Sequence, residues 1–329
     1  MSLRIKIKNF YRTVFVLFKR LLILILSAML ISFCDSSSNP GNYAQSSFVA
    51  GDYSFPYNLD KPDAKLKLPG YLEEISGLSY YKKDKFVCVE DEQAIIYVLQ
   101  RKEELDVSKF KFGKDGDYED IAIKDETAYV LRNDGSIFRV KGFTGKKKKV
   151  KKYKTPLSKK NDTEGIAYDP LSNSLLISCK ESPSIEKDNP YKGNRAIYRF
   201  DLESKELVTT PLFLIDLNNL KNYRDQGTFS KFSAKLAKRL RIVDSETSFK
   251  PSGLSIHPLF GDIYIISSIG KLLIVMDRRG QILDIHGLDD KLFRQPEGIC
   301  FSPSGDLFIS SEGQGGKGYI LKFNLSQNE

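Results

Sequence analysis

Three glutamates recur at one position of a repeated motif, and carboxylates gathered in that way can hold a cation or move a proton. The motif opens on a polar residue, then places a carboxylate or hydroxyl before Gly or Asp, an aliphatic residue and a small one. It reads Glu74-Ile75-Ser76-Gly77-Leu78-Ser79, then Asp117-Tyr118-Glu119-Asp120-Ile121-Ala122, then Asp162-Thr163-Glu164-Gly165-Ile166-Ala167. Two further copies are Lys250-Pro251-Ser252-Gly253-Leu254-Ser255 and Gln295-Pro296-Glu297-Gly298-Ile299-Cys300. The shared position holds Ser76, Glu119, Glu164, Ser252 and Glu297. If the copies meet around one axis, three carboxylates share a narrow space and repel one another. They then stay ionised beside a cation, or some of them are protonated.

A second column lies four residues after the aromatic or aliphatic residue that opens the following apolar run: Glu90, Asn133, Lys180, Ser268 and Glu312. Asp91, Glu92, Arg132, Glu181 and Ser311 are its neighbours in sequence. Such an oxygen-rich set, without thiols and poor in His, suits Ca2+ or Mg2+ better than Zn2+, with Glu119, Glu164 and Glu297 as the expected metal ligands. The plainer alternative is that each of these residues caps a turn or bonds to a backbone N–H.

The motif copies are separated by 43, 45, 88 and 45 residues. Each leads into turn chemistry, a second apolar run, another turn and a third run; Asn133-Asp134-Gly135 is a hairpin signal. Strand–turn–strand–turn–strand with a period near 45 residues predicts an all-β propeller with a polar outer strand per blade. Lys147–Tyr153 reads as one such edge. Five blades are expected, or six if residues 205–249 conceal another. The segment from Tyr53 to Leu68 should close the ring by supplying the missing strand of the last blade. In Ser230–Ile242, Phe232, Leu236 and Leu240 recur at helical spacing among basic residues, which predicts a helical insertion over about 217–249.

Residues 1–33 read as a targeting segment, 34–52 as a polar linker, 53–325 as the propeller and 326–329 as a tail. The formal charge of +9 includes six cations in residues 1–33 with no acid among them, so the remainder carries +3. That removes the main support for nucleic-acid binding. Leu21–Phe33 is an apolar run of thirteen residues after Lys19-Arg20, the length of a signal-peptide core and short for a bilayer span. Cys34 follows directly, as in a bacterial lipoprotein whose cysteine is lipidated, although Phe33 is larger than the residue usually found before that cysteine. An uncleaved anchor or ordinary secretion are the alternatives, and all three place the domain outside the cytoplasm. Cys88, Cys179 and Cys300 lie in apolar runs and read as small buried hydrophobes.

His257 falls in a turn and His286 in an outer-strand region, so neither is expected at the axis. Glu312–Gly318 lacks the Gly-Lys-Ser/Thr of a phosphate loop and reads as a hairpin. The lysine run Lys146–Lys149 would suit anionic lipid, or simply protect an outer edge strand.

Taken in order, the motifs E-I-S-G-L-S, D-Y-E-D-I-A, D-T-E-G-I-A, P-S-G-L-S-I-H-P and Q-P-E-G-I-C-F-S-P-S-G-D-L-F-I-S-S-E resemble the SdiA-regulated family of bacterial envelope propellers over about Tyr53–Leu325. The resemblance implies an extracytoplasmic propeller with a link to calcium handling and a phytase-like architecture, without supplying an activity. Two functions follow. One is a membrane-tethered binding or scaffold module, calcium-responsive, for an envelope protein or a small polar ligand. The other is a metal-dependent phosphoesterase in which Glu119, Glu164 and Glu297 hold the ion while Lys180 and Arg132 hold the anion.

Overall fold

The computed structural model describes residues 43–46, 53–82, 84–222 and 249–326. Two short strands come first, β1 (Ala44–Gln45) and β2 (Ala64–Lys67), followed by a 3-10 turn at Gly70–Leu72. The first blade is β3 (Ile75–Tyr81), β4 (Lys85–Glu90), β5 (Ile95–Arg101) and β6 (Leu105–Lys111). The second is β7 (Tyr118–Lys124), β8 (Thr127–Arg132), β9 (Ile137–Lys141) and β10 (Lys149–Tyr153). The third comprises β11 (Thr163–Asp169), β12 (Ser174–Cys179), β13 (Asn194–Asp201), β14 (Glu206–Leu207) and β15 (Phe213–Asp216). The fourth is β16 (Lys250–Ile256), β17 (Ile263–Ile269), β18 (Leu272–Met276) and β19 (Ile282–Gly287). The fifth contains β20 (Pro296–Phe301), β21 (Leu307–Ser311) and β22 (Tyr319–Phe323).

Each blade is an antiparallel meander, and β2 completes the fifth by pairing with β22, Ala64 opposite Lys322. The expected closure by the N-terminal strand is therefore what the chain does. The innermost strands β3, β7, β11, β16 and β20 pack each against the next, and β20 against β3, so the ring closes on five blades. Five hydrophobic clusters fill the five interfaces between neighbouring blades. Burial falls outward: β21 is buried throughout, whereas β6 alternates and β10 is exposed at four of its five positions. An edge strand that faces water in this way is protected by its lysines.

The repeated Gly has a steric cause. A Cβ on Gly77 would lie 2.4 Å from Asp120 Cα, and one on Gly253 would lie 2.3 Å from the Glu297 carbonyl oxygen. Neighbouring innermost strands approach too closely there for a side chain. The second blade places Asp120 at this position instead. Its buried carboxylate accepts hydrogen bonds from the N–H groups of Ile121 (2.7 Å) and Ile166 (2.8 Å), tying the second blade to the third.

Cys88, Cys179 and Cys300 are free and buried in the inter-blade clusters. Ala44–Gln45, within the stretch read as a linker, adds a parallel strand to β15. A short helix, Leu217–Asn222, begins the expected insertion. Ser230–Ile242, residues 1–33 and Cys34, on which the helix, targeting and lipidation expectations fall, lie outside the described residues.

Candidate functional site

Every innermost strand carries a register irregularity at the motif position. It falls between Ile75 and Leu78, Tyr118 and Asp120, Thr163 and Gly165, Pro251 and Gly253, and Pro296 and Ile299. A bulge re-aims the residue it contains, and these five contain Ser76, Glu119, Glu164, Ser252 and Glu297. The shared slot is thus built by the backbone at one end of the axis, the polar mouth.

The three glutamates act on one another there. Glu164 is 7% and Glu297 8% exposed. Burial, Glu164, Asp162 and Glu297 push the Glu119 carboxyl up to about 9 against the pull of Lys180. Burial, Glu164 and Glu312 push Glu297 up to about 8. Glu164 is raised less, because Lys180 Nζ donates to its Oε1 at 2.6 Å. Burial alone would lower the Lys180 ammonium, but Glu164, Asp162 and Glu297 outweigh it and hold it above the ordinary lysine range. One fixed ammonium among three carboxyls leaves protons on the others near neutrality.

The two serines of the slot serve the frame. Ser252 Oγ donates to the Pro296 carbonyl at 2.7 Å and accepts from Ser268 N at 3.1 Å, which joins the fourth and fifth blades. Ser76 is buried with its hydroxyl 3.5 Å from the Glu74 carbonyl.

The second column shares this face, and its first member needs correction. Strand pairing sets Leu78 opposite Cys88, Ile121 opposite Val130, Ile166 opposite Ile177, Leu254 opposite Ile265 and Ile299 opposite Ile309. Three residues further on stand Asp91, Asn133, Lys180, Ser268 and Glu312, all half-buried. Asp91 therefore replaces Glu90, whose carboxylate instead caps the turn by accepting from Gln93 N (2.7 Å) and Glu92 N (3.2 Å).

The polar residue that opens each motif copy forms a third column: Glu74, Asp117, Asp162, Lys250 and Gln295. It is visible in the sequence as the first residue of each repeat. Within a blade the two columns meet. Asn133 Nδ2 donates to Asp117 Oδ2 at 2.8 Å, Lys180 lies 4.0 Å from Asp162, and Glu312 N donates to the Gln295 carbonyl at 2.9 Å. In the first blade two acids meet instead, and Asp91 raises the Glu74 carboxyl. Burial, with Asp91, Glu74 and Glu164, pushes Glu312 up to about 7. The sector between the fifth and first blades is consequently acidic, whereas Lys180 and Lys250 neutralise the third and fourth. Asp91 Oδ1 and Asn133 Oδ1 are buried and accept no hydrogen bond.

Among the described residues no group of three or more carboxylate, imidazole or thiolate side chains is disposed to hold a metal ion. Lys180 Nζ lies 2.6 Å from Glu164 Oε1, and Ca2+ bound in this slot would need six to eight oxygens. Arg132 and Lys180, the cations that a phosphoester would need, are each engaged: Arg132 Nε donates to Asp134 at 3.0 Å and its Nη2 to the same carboxylate. His257 lies away from the channel. Its Nδ1 accepts from Leu259 N and Phe260 N at 3.2 Å, so Nε2 carries the proton and donates to the Tyr57 hydroxyl at 2.8 Å. His286 packs on Phe55 in the outer strand β19, ring centroids 3.7 Å apart.

The model of the SdiA-regulated family matches residues 56–314. The chain belongs to the SdiA-regulated family. This SdiA-regulated chain matches no curated protein. Among solved structures it is similar to the PQQ-bound aldose sugar dehydrogenase of Streptomyces coelicolor, at 15% identity and a TM-score of 0.50. That match covers 80% of this chain and 97% of the other. The glutaminyl cyclase of Myxococcus xanthus aligns at 13% identity and a TM-score of 0.50, over 82% of this chain and 97% of the other. At such identities the likeness concerns the fold alone.

Proposed function

We propose that this SdiA-regulated propeller is a non-catalytic binding module whose polar mouth takes a small ligand bearing hydrogen-bond donors on a cationic group, such as a primary amine. The observation that carries the reading is the pair of buried acceptors, Asp91 Oδ1 and Asn133 Oδ1, that accept nothing, beside acids that raise one another. A buried acceptor left unmet is costly, so a donor brought by a ligand is rewarded. Glu297 and Glu119 beneath them offer further acceptors on ionisation, and Lys180 keeps Glu164 out of use. Ca2+ is the competing cation, since it too would be drawn to Glu74, Asp91 and Glu312.

The test is thermal denaturation of the purified full chain at pH 7.5 with agmatine, cadaverine or spermidine, and in parallel with Ca2+ or inorganic phosphate. An amine should raise the midpoint, and Asp91→Asn with Glu312→Gln should remove the rise. A rise with Ca2+ alone would replace the amine by a divalent ion, and one with phosphate alone would favour the phosphoesterase. No rise with any of them refutes a cation-binding mouth.

The same proposal includes a membrane tether through Cys34, resting on the apolar run Leu21–Phe33 before it. Cys34→Ala should release the protein from the membrane fraction; unchanged fractionation and mobility would reject lipidation.

A further inference from the structure

The outer edge of the second blade gathers charge of one sign. Between Asp134 and Asp162 stand eleven cations and no acid. Taken from the +3 of residues 34–329, they leave −8 for everything else. Charge divided so unevenly along a chain is a sign of a segment that meets an anionic partner. Strand pairing concentrates it. Lys149 stands opposite Lys141 and Lys151 opposite Arg139 across β10 and β9, and like charges set directly opposite one another destabilise a sheet. Lys149, Lys151 and Lys152 are exposed, and residues 146–148, all lysine, lie in the connection before them. Among the described residues none of the eight lysines from 141 to 154 forms an ion pair. Arg139 Nε, though buried, donates to nothing.

Edge protection needs less than this. On the first blade's edge strand β6, Asp106 is matched by Lys102 at 2.8 Å and Lys111 by Asp115 at 3.4 Å. The fourth blade's edge strand β19 carries one acid, Asp284, and no lysine. A charge or two already blocks strand addition, so the surplus on β10 has another cause. Its composition shows what kind of anion suits it. Eight of the nine cations from 139 to 154 are Lys, flexible point charges, rather than the planar fork of Arg that fixes a single phosphate or carboxylate. The aromatic rings among them, Phe143 and Tyr153, are buried, so nucleic-acid bases have no platform to stack on. Val150 is 43% exposed in their midst. A fluid sheet of anionic head groups answers to diffuse charge of this kind, at about fivefold in affinity for each lysine.

We infer that the lysine edge of the second blade rests on anionic phospholipid. The choice of lipid rests on the membrane tether proposed above. It agrees with the place of β1, which begins ten residues after Cys34 and pairs with β15 of the neighbouring third blade. The turn at residues 133–135 belongs to the polar mouth, so the next turn, 142–148, lies at the opposite end of the blade. A propeller resting on that turn and on β10 keeps its polar mouth open to water.

The experiment reconstitutes the full chain in vesicles of phosphatidylcholine with and without about 30% phosphatidylglycerol. Lysines are acetylated by a water-soluble ester and mapped by mass spectrometry. In the anionic vesicles Lys147, Lys149, Lys151 and Lys152 should react roughly fivefold more slowly or less, with Lys67 and Lys111 on other blade edges unchanged. About 1 M NaCl should abolish the difference. With those four lysines changed to Gln, Lys146 and Lys154 should lose their protection while the thermal midpoint is kept. Equal reaction in both kinds of vesicle overturns the inference. So does protection by heparin with none by anionic vesicles, because a soluble polyanion would then be the partner. Cys34→Ala separates this inference from the tether. If that variant stays in the membrane fraction while the lysines of the parent are protected, the tether falls and the docking edge stands. If it is released and the lysines of the parent react equally in both vesicles, the tether stands and the docking edge falls.

Discussion

Replacing Glu297 by Gln should stabilise the protein, and increasingly so as the pH rises. The native carboxyl is buried beside Glu164 and Glu312 and keeps its proton to about pH 8, whereas the ordinary value is 4.5. Between these limits the native state binds more protons than the unfolded one, so stability falls with pH by about 1.4 kcal/mol per pH unit. Near pH 4.5 the glutamate costs nothing; at pH 7 its burden is on the order of 3 kcal/mol. Gln keeps the shape and carries no proton to lose. For a domain of this size each kcal/mol moves the midpoint by about 2–4 °C. Thermal scans from pH 4.5 to 8 should therefore show the two proteins together at the acid end and the variant several degrees higher at the other. Glu119 and Glu164 share the same protons, so Glu119→Gln with Glu297→Gln should give less than the sum of the two. Parallel curves for variant and parent, or a variant that melts lower at pH 8, would refute the shared-pocket reasoning.

Lys180→Ala leaves Glu164 buried without its ammonium and should cost about 3 kcal/mol at pH 8, as measured by urea midpoint. The loss should shrink toward pH 5 as Glu164 takes up a proton; a loss independent of pH would speak against the pair. His257 is held neutral by burial, its value pushed down to about 4. Its contribution is complete above the ordinary 6.5 and is lost as the pH falls from there toward 4. Tyr57→Phe removes the acceptor of its Nε2–H and should destabilise by about 1–3 kcal/mol in denaturant titrations; no change would remove the hydrogen bond from the account. Gly253→Ala forces a methyl against the Glu297 carbonyl and should lower the midpoint by well over 5 °C, whereas Gly142→Ala, with open space around it, should cost only its backbone strain. Equal effects at the two sites would contradict the close approach of innermost strands.

The blades were legible because each repeat couples a motif to two or three apolar runs, and burial of those runs leaves little freedom of assignment. Closure by a strand within Tyr53–Leu68 followed from counting strands, and the structure places it at Ala64–Lys67. The inner column was legible too, since the small and glycine positions fix its register. The second column failed in one blade for a physical reason. Counting from Phe86 assumes that it opens its run as Tyr129 and Tyr264 do, but pairing makes Val87 the equivalent, and Asp91 moves into the slot that Glu90 was given. What each side chain does with its position was hidden. Nothing in the sequence tells that Ser252 spends its hydroxyl on the Pro296 carbonyl, or that Lys180 donates to Glu164.

The central claim is that Glu119, Glu164 and Glu297 share one buried pocket around Lys180. Carbon-13 NMR of side-chain carboxyls in glutamate-labelled protein, titrated from pH 4 to 10, tests it directly. Glu119 and Glu297 should titrate near 9 and 8, each assigned by loss of its signal in the Gln variant, and removing one should lower the other. If both titrate independently below 5.5, the pocket is not there.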